Sequence, residues 1–218
     1  MFTNREEAAN LLAQKLVTYK NNKDVVIVAI PRGGVPLGSV IAGYLHAPLE
    51  VVLSKKIGHP FHKEFAIGAV TLNSRILEAV AADVPDIYIK EETERIRTLL
   101  KQRYTSYYGK KLPLNLHNKI VILIDDGVAT GNTLISCIEL IDQQKPKHII
   151  VALPVGPLET IKKIKALPIV NKTICLLTPK DFYAVGQFYN EFDQVSDDEV
   201  IALLEAANTN YISTHSKI

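Results

Sequence analysis

The sequence predicts an α/β protein built on a parallel sheet, and two observations lead to that prediction. Short, continuous apolar runs recur along the chain, which is typical of parallel strands because both faces of such a sheet are covered. Amphipathic helical patterns lie between most of these runs, as they do in consecutive strand–helix–strand units. We therefore expect a three-layer fold with helices on both faces of the sheet.

The predicted elements alternate in a regular order along the chain. Strands are predicted at residues 25–30, 49–54, 119–124, 148–153 and 172–177. Helices are predicted at residues 5–19, 35–45, 133–143 and 158–165, and a final helix at 197–206 follows a capping box of Ser196 and Glu199. Ligands of such sheets bind beyond the carboxyl ends of the strands, so the residues that follow each strand are the candidates for function.

The alternation is interrupted between residues 55 and 118. Residues 66–72 and 75–80 predict an antiparallel hairpin around a turn at Asn73 and Ser74. Residues 91–108 predict a long charged helix with one apolar face. An excursion of this length in a parallel-sheet protein is often a lid or an oligomer contact.

The composition is that of an ordinary globular protein, with 47% hydrophobic and 22% charged residues. A formal net charge of +2 gives no support for a nucleic-acid-coating surface. The two cysteines, Cys137 and Cys175, lie in apolar segments and are expected to be reduced core residues. Since the start of the chain lacks a signal-peptide layout and no apolar run approaches the ~20 residues that span a bilayer, we expect a cytoplasmic protein without a membrane partner.

Residues 121–134 carry the most informative motif. Four apolar residues predict a buried strand, Asp125 and Asp126 stand at its carboxyl end, and a turn of small residues leads into a helix. The turn consists of Gly127, Val128, Ala129, Thr130, Gly131, Asn132 and Thr133. Backbone N–H groups in such a turn, with a helix N-terminus behind them, form a site for a phosphate dianion. Adjacent carboxylates accept hydrogen bonds from sugar hydroxyls, so the combination suits a ribose 5-phosphate.

Four alternative identities for this motif fit the sequence less well. A plain strand–turn–helix junction would leave two costly acids at a strand end with nothing to occupy them. The turn lacks the lysine of a P-loop, and no Gly-x-Gly-x-x-Gly follows a predicted strand, which disfavours a P-loop nucleotidase and a nicotinamide dehydrogenase. A sugar phosphatase with Asp125 as its nucleophile would need an Asp-x-Asp arrangement or further acids at strand ends, and the sequence has neither.

The segment resembles the phosphoribosyl diphosphate (PRPP) binding motif of the type I phosphoribosyltransferases, with its four hydrophobic residues, two acids and a short loop containing Thr-Gly. The carboxy-terminal region resembles bacterial predicted phosphoribosyltransferases whose acceptor is unassigned. The resemblance implies a Rossmann-like parallel sheet in a single domain over residues 1–207. It also implies an inserted hairpin and helix at about 57–117 and a small hood at about 178–207. Residues 208–218 are polar and aperiodic, which predicts a flexible tail.

The same resemblance implies transfer of the 5-phosphoribosyl group of PRPP to a nitrogenous acceptor, with release of pyrophosphate. Asp125 and Asp126 would then hold the ribose 2- and 3-hydroxyls, and the turn after them the 5-phosphate. Mg²⁺ is the implied cofactor, held mainly by PRPP rather than directly by the protein, and a homodimer is the implied assembly. The alternative is a PRPP-binding regulatory protein with little or no turnover.

Further candidates follow the first two predicted strands. Gly33 and Gly34 let the backbone approach an anion, and Arg32 adds a charge and a fork of donors. The resemblance makes these three residues a pyrophosphate-binding loop, in which Arg32 also takes a catalytic role. Lys55 and Lys56, expected to end the second strand, resemble basic residues that the family directs at the pyrophosphate. Lys56 is the catalytic candidate of the two, although paired lysines after a strand are usually solvated.

The acceptor end has weaker signals. Glu64 is a candidate general base, although an exposed loop acid is the commoner situation. Phe182 and Tyr183 are candidates to stack on a planar acceptor. The helical spacing of the hood aromatics fits core packing equally well; they are Phe182, Phe188, Tyr189 and Phe192.

Two other positions limit the chemistry. Hypoxanthine-guanine members of the family carry an acid three positions after the second motif aspartate, and this chain has Ala129 there, which cannot move a proton. Hypoxanthine and guanine are therefore disfavoured as acceptors. His59 and His62 have the spacing of a metal site, but Pro60 interrupts them and no third ligand accompanies them.

Overall fold

The computed structural model describes residues 1–62 and 65–215. Its strands are β1 (Val25–Ala29), β2 (Leu49–Val51), β3 (Lys55–Gly58), β4 (Ala66–Val70), β5 (Arg75–Leu77), β6 (Ile120–Ile124), β7 (His148–Val155) and β8 (Lys172–Leu177). Its α-helices are α1 (Arg5–Lys15), α2 (Gly34–Leu45), α3 (Asp86–Tyr108), α4 (Asn132–Asp142), α5 (Leu158–Lys165) and α6 (Asp197–His215).

The order of strands in the central sheet places the candidate site. Five parallel strands are arranged as β2–β1–β6–β7–β8. The chain moves outward from β1 to β2 and then returns to the other side of β1, so the order reverses between β1 and β6. The loops that follow these two strands leave in opposite directions and open a crevice at the carboxyl edge of the sheet. The predicted α/β fold with a parallel sheet is confirmed.

Both faces of the sheet are buried, as the apolar runs predict. In β1, Val25, Ile27 and Ala29 pack into one core, whereas Val26 and Val28 pack into a second core on the opposite face. Helices α1, α2 and α6 cover the first face, and α4 and α5 cover the second. The period of two along each strand therefore divides the molecule into three layers.

The insertion has one more strand than the sequence predicts. The hairpin of β4 and β5 is confirmed, and β3 adds to it to form a three-stranded antiparallel sheet. The prediction that Lys55 and Lys56 end the second strand is wrong, because β2 ends at Val51. The two lysines belong to β3, where they pair with Val70 and Ala69 of β4. Helix α3 begins directly after Pro85, earlier than predicted.

The carboxy-terminal helix is longer than predicted. We expected a helix to Ala206 and a frayed tail from residue 208, but α6 continues to His215. Asn208 explains the difference because its side chain accepts a hydrogen bond from Leu49 N at 3.2 Å and donates one to Leu49 O at 3.0 Å. These two bonds satisfy the free N–H and C=O groups of Leu49 on the edge strand β2, and they attach α6 to the sheet.

Two predictions from composition can be compared with the structure. Cys137 is buried, Cys175 is partly buried and both are free, in agreement with their predicted place in the core. Among the residues described, no helix combines the length and hydrophobicity needed to cross a bilayer.

Replacement of Asn208 tests its role as an anchor. Asn208→Ala leaves the Leu49 N–H and C=O without their partner, which costs about 1–3 kcal/mol for a buried group. For a chain of this size each kcal/mol lowers Tm by about 2–4 °C. Thr209→Ala is the control, because Thr209 is the exposed neighbour on the same helix. Equal Tm values for the two variants in scanning calorimetry would contradict the anchoring role.

Candidate active site

The loops after β1 and β6 touch each other in the crevice. Ile30, just beyond β1, donates its N–H to the carbonyl oxygen of Ile124 at 2.9 Å. A Cβ atom added to Gly33 would overlap the Asp126 carboxylate, and one added to Gly34 would lie 2.7 Å from the Ile124 carbonyl oxygen. Position 34 requires glycine because the backbone after β1 runs directly against the end of β6, and a larger residue at position 33 would displace the Asp126 side chain.

The two acids at the end of β6 are partly buried and electrostatically coupled. Asp126 N donates to Asp125 Oδ1 at 2.9 Å. Burial, followed by repulsion from Asp126, raises the pKa of Asp125 well above its ordinary value. Burial also raises the pKa of Asp126, but the positive charge of Arg5 opposes that effect. The pair therefore titrates as one unit in which Asp125 holds a proton more readily.

Arg5, the first residue of α1, supplies the cation that pairs with Asp126. Its Nε and Nη2 donate to Asp126 Oδ2 at 3.0 and 2.9 Å, and its Nη1 donates to Asp193 O at 2.8 Å. The guanidinium carbon lies 3.9 Å from the centroid of the Phe192 ring. Sequence reasoning missed Arg5 because 121 residues separate it from Asp126 and no local pattern marks an arginine in a first helical turn.

The hood lies on top of this cluster and is joined to the start of the chain. Tyr189 OH donates to the backbone oxygen of Asp126 at 2.7 Å, and the Tyr189 ring packs on Phe2 with 5.3 Å between centroids. Phe2 N donates to Phe188 O at 2.8 Å. A side chain on Gly127 would collide with Val185, so the hood also contacts the turn after the acids.

The turn after the acids ends in a helix N-terminus, as predicted. Gly131 caps α4 in the left-handed conformation, with φ of 83°. Thr160 Oγ1 donates to Ala129 O at 2.7 Å and fixes the middle of the turn. Val128 N, by contrast, donates to Val155 O at 3.0 Å, so this predicted phosphate donor is already used. The first turn of α4 still offers donors, since the first N–H groups of a helix have no partner within it.

Arg32 lies in the short loop between β1 and α2. It follows a cis peptide bond with Pro31 and is partly buried. A hydrogen bond from Tyr107 is the main cause of the lowered pKa of Asp197, and the charges of Arg103 and Arg32 lower it further. Arg32 is therefore close enough to the first residue of α6 to interact with it electrostatically.

Lys56 lies close to the helix that begins at the phosphate turn. Neighbouring residues of a strand point to opposite faces, so the side chains of Lys55 and Lys56 leave β3 in opposite directions. Lys56 lines a surface cavity of about 270 Å³ together with Asn132, Ser136 and Glu139 of α4, and Lys55 does not. The structure thus brings Lys56 to the helix that begins at the turn.

The two acceptor candidates differ in their surroundings. Phe182 is partly buried against the core and stacks on Phe188, with 5.4 Å between ring centroids. Tyr183 is 88% exposed. Their region contains a short 3₁₀ turn, Val185–Phe188, in place of the α-helix that the aromatic spacing indicates. Core packing is therefore the role that the structure supports for Phe182.

Of the remaining predicted positions, His59 and His62 lie in the loop after β3. Glu64 falls outside the described residues. The rings of His59 and His62 stack with 5.6 Å between centroids. Within residues 1–62 and 65–215, no group of three or more His, Cys, Asp or Glu side chains is placed to hold a metal ion.

The chain matches a family model and several known proteins. The model of the phosphoribosyl transferase domain matches residues 2–191. A provisionally named phosphoribosyl transferase of Mycobacterium tuberculosis is 32% identical over an alignment of 217 positions, which covers 97% of this chain and 48% of that protein. The chain thus spans about half the length of the curated relatives that it matches over most of its own length.

Two further matches are a solved structure and a local similarity. The crystal structure of TT1426 from Thermus thermophilus superposes with a TM-score of 0.81 and 34% identity, covering 93% of this chain and 97% of that one. A uracil phosphoribosyltransferase of Mycoplasma genitalium is 40% identical over 62 residues, which are 28% of this chain and 30% of that protein.

The close approach of the two loops can be tested with glycine replacements in one helix. Gly34→Ala places Cβ 2.7 Å from a carbonyl oxygen and 3.1 Å from the Asp125 Cα, and these backbone atoms cannot move easily. We expect a loss of about 1–3 kcal/mol, seen as a lower Tm. Gly43→Ala is the matched control, since nothing lies within 4 Å of its added Cβ and alanine favours a helix by about 0.5–1 kcal/mol. A similar Tm change in both variants would argue against the contact.

The buried charge predicts that Asp125→Asn stabilises the ligand-free protein. Because the folded-state pKa of Asp125 lies above its ordinary 3.8, ionisation weakens the fold as the pH rises from the unfolded to the folded pKa. Asparagine keeps an oxygen that can accept from Asp126 N. The Tm of the variant should exceed that of the wild type at pH 8, and the difference should vanish near pH 4. A variant that is less stable than the wild type at pH 8 would disprove the claim that the Asp125 charge destabilises the fold.

Proposed function

The chain belongs to the phosphoribosyl transferase family, and from that premise we propose that it transfers the 5-phosphoribosyl group of PRPP to a nitrogenous acceptor and releases pyrophosphate. One observation carries the proposal: the Gly33-Gly34 backbone runs against the Asp125–Asp126 pair. This contact supports the proposal because the loop proposed to bind the pyrophosphate then adjoins the candidate diol clamp, which is the Asp125 and Asp126 carboxylates proposed to hold the ribose 2- and 3-hydroxyls. PRPP carries its diphosphate on the carbon next to the 2-hydroxyl, so one molecule can occupy both.

The 5-phosphate is assigned to the turn before α4. Amides from Ala129 to Thr133 and the dipole of α4 favour a dianion at this end of the helix. The bond from Thr160 to Ala129 and the left-handed Gly131 hold the turn in shape before ligand binding. A preformed turn binds the phosphate with a smaller loss of conformational entropy.

The ribose hydroxyls are assigned to Asp125 and Asp126. Both carboxylates are partly buried, and burial raises both pKa values because the charged forms lack solvation. Hydroxyl donors from a ribose would supply hydrogen bonds to the charged forms and so lower these pKa values. Among the described residues no third metal-binding side chain joins the two carboxylates, which fits a Mg²⁺ ion that would be held mainly by PRPP oxygens and water and would neutralise diphosphate charge.

The leaving group is assigned to the loop after β1. As the bond between C1 of the ribose and the diphosphate oxygen breaks, its electron pair stays with pyrophosphate, and the acceptor nitrogen forms the new bond to C1. The transition state resembles an oxocarbenium ion, as in glycoside transfer. Charge that gathers on pyrophosphate would be stabilised by the Gly33 and Gly34 amides, by Arg32 and by Lys56. Glu64 remains the predicted base for the acceptor proton.

The acceptor is proposed to be a planar ring other than a 6-oxopurine. The methyl group of Ala129 cannot take the proton that hypoxanthine or guanine would release at that position. The local similarity to a uracil phosphoribosyltransferase supports the same choice. Tyr183 is exposed and free to stack on a ring, whereas Phe182 is engaged with Phe188.

A regulatory protein that binds PRPP without turnover is the second candidate. It would need the phosphate turn and the diol clamp, but not a set of cations around the leaving group. Arg32 and Lys56 therefore favour catalysis.

The deciding experiment has two stages. Calorimetric titration with PRPP and Mg²⁺ measures donor binding, and pyrophosphate release is then followed with a panel of bases that includes adenine, uracil, hypoxanthine and guanine. Release with at least one base supports the transferase. PRPP binding without release for any base favours the regulator, and no PRPP binding contradicts both proposals.

The diol clamp predicts that Asp125→Asn weakens PRPP binding while it stabilises the free protein. A hydrogen bond to a charged group contributes about 1.5–3 kcal/mol, so the dissociation constant should rise about 10- to 150-fold. Asp24→Asn is the control, because Asp24 is an exposed acid at the opposite, amino end of the sheet, paired with Lys119 at 3.6 Å. An unchanged affinity in the Asp125 variant would refute the clamp.

A further inference from the structure

We propose that Arg5 is a positioning residue of the donor site, which holds Asp126 as an oriented, charged acceptor for the ribose and joins it to the hood. The effect on PRPP rests on the proposed function, whereas the ion pair can be tested without any ligand. The family resemblance implies no role for Arg5. The role proposed here rests on the contacts of the Arg5 side chain.

The geometry of the ion pair leaves Asp126 able to bind a sugar. Arg5 Nε and Nη2 both donate to Oδ2 of Asp126, at 3.0 and 2.9 Å. A carboxylate has about four lone-pair sites, and this arrangement concentrates the arginine on one oxygen. Oδ1 can therefore still accept a hydrogen bond from a ribose hydroxyl. Arg5 orients the carboxylate and does not occupy it completely.

Arg5 is itself fixed before any ligand arrives. It begins α1, whose N-cap Asn4 accepts a hydrogen bond from Glu7 N at 3.1 Å. Its guanidinium stacks on Phe192 at 3.9 Å and donates to Asp193 O at 2.8 Å, and its side chain is only 13% exposed. The rotamer entropy of this side chain is therefore lost on folding rather than on binding. A lysine would keep the charge but not the fork or the stacking.

Arg5 opposes the effects that raise the pKa of Asp126, and these effects come from the groups around that carboxylate. In the described structure these are Asp125 beside it, Arg5 from α1, and Tyr189 from the hood, which donates to the Asp126 backbone. Burial and the neighbouring acid favour the protonated forms of the pair, and Arg5 acts in the opposite direction. Without Arg5 the pair would keep a proton to higher pH, and a protonated acid accepts fewer hydrogen bonds.

The link to the hood follows from the same side chain. Arg5 bonds to the backbone of Asp193 and stacks on Phe192, so the position of Asp126 depends on these hood residues. The diol clamp is consequently assembled from three separate parts of the chain: the end of β6, the start of α1 and the hood.

The first test is a titration of the ligand-free protein. The Asp126 carboxyl carbon is followed by NMR in the wild type, Arg5→Gln, Arg5→Lys and Arg95→Gln. Arg95→Gln is the matched control, since it removes an arginine from a pair with Glu92 on the surface of α3. The Asp126 midpoint should move to higher pH in Arg5→Gln, move less in Arg5→Lys and stay in place in the control. An unmoved midpoint in Arg5→Gln would overturn the proposal.

The second test measures PRPP affinity with Mg²⁺ between pH 6 and 8.5. At metal sites, loss of a partner that orients a ligating side chain typically costs 10- to 100-fold in affinity or activity, and on the same reasoning Arg5→Gln should weaken PRPP binding by about tenfold or more at pH 7. Its loss of affinity in acid should also begin at higher pH, and Arg5→Lys should recover part of both effects.

The outcomes separate this inference from the proposed function. If the wild type binds no PRPP, the proposed function fails, and the carboxyl titration still decides the ion pair. If the wild type binds PRPP and the Arg5 variants lose only Tm, Arg5 is structural and the inference is wrong. Arg5→Lys keeps the test decisive if Arg5→Gln does not fold.

Discussion

The neighbouring carboxylates of Asp125 and Asp126 at the end of β6 are the constraint on which the rest of the structure depends. Burying two adjacent acids is unfavourable unless cations or hydrogen bonds compensate them. The surroundings provide both, because Asp126 N donates to Asp125 and Arg5 pairs with Asp126. The compensation is partial, since burial still raises both pKa values. A ligand with hydroxyl donors would complete it.

The order of strands explains why these groups meet. Because the sheet reverses its order between β1 and β6, the loops after these strands open a crevice, and glycines let one loop lie against the other. The hood and the first residues of the chain then close around the acids. Phe2 exchanges backbone hydrogen bonds with the hood at 2.8 and 2.9 Å, which brings Arg5 within reach of Asp126.

Much of this arrangement could be predicted from the sequence because it is local. The strand at 120–124, the acids that end it and the cap of α4 lie within a dozen neighbouring residues, and apolar periodicity places the other strands of the sheet. The errors arose where distant contacts decide the structure. Asn208 extends α6 by bonding to Leu49, and pairing with β4 moves Lys55 and Lys56 into another sheet. Arg5 could not be identified because its partners are 121 and 188 residues away.

Those separations have a consequence for biosynthesis. The chain is synthesised from its N-terminus, so Arg5 and Asp126 leave the ribosome before Phe192 and Asp193. During that interval the carboxylate pair lacks the hood that holds Arg5 in place. The ion pair of Arg5 with Asp126 therefore reaches its final surroundings only late in synthesis.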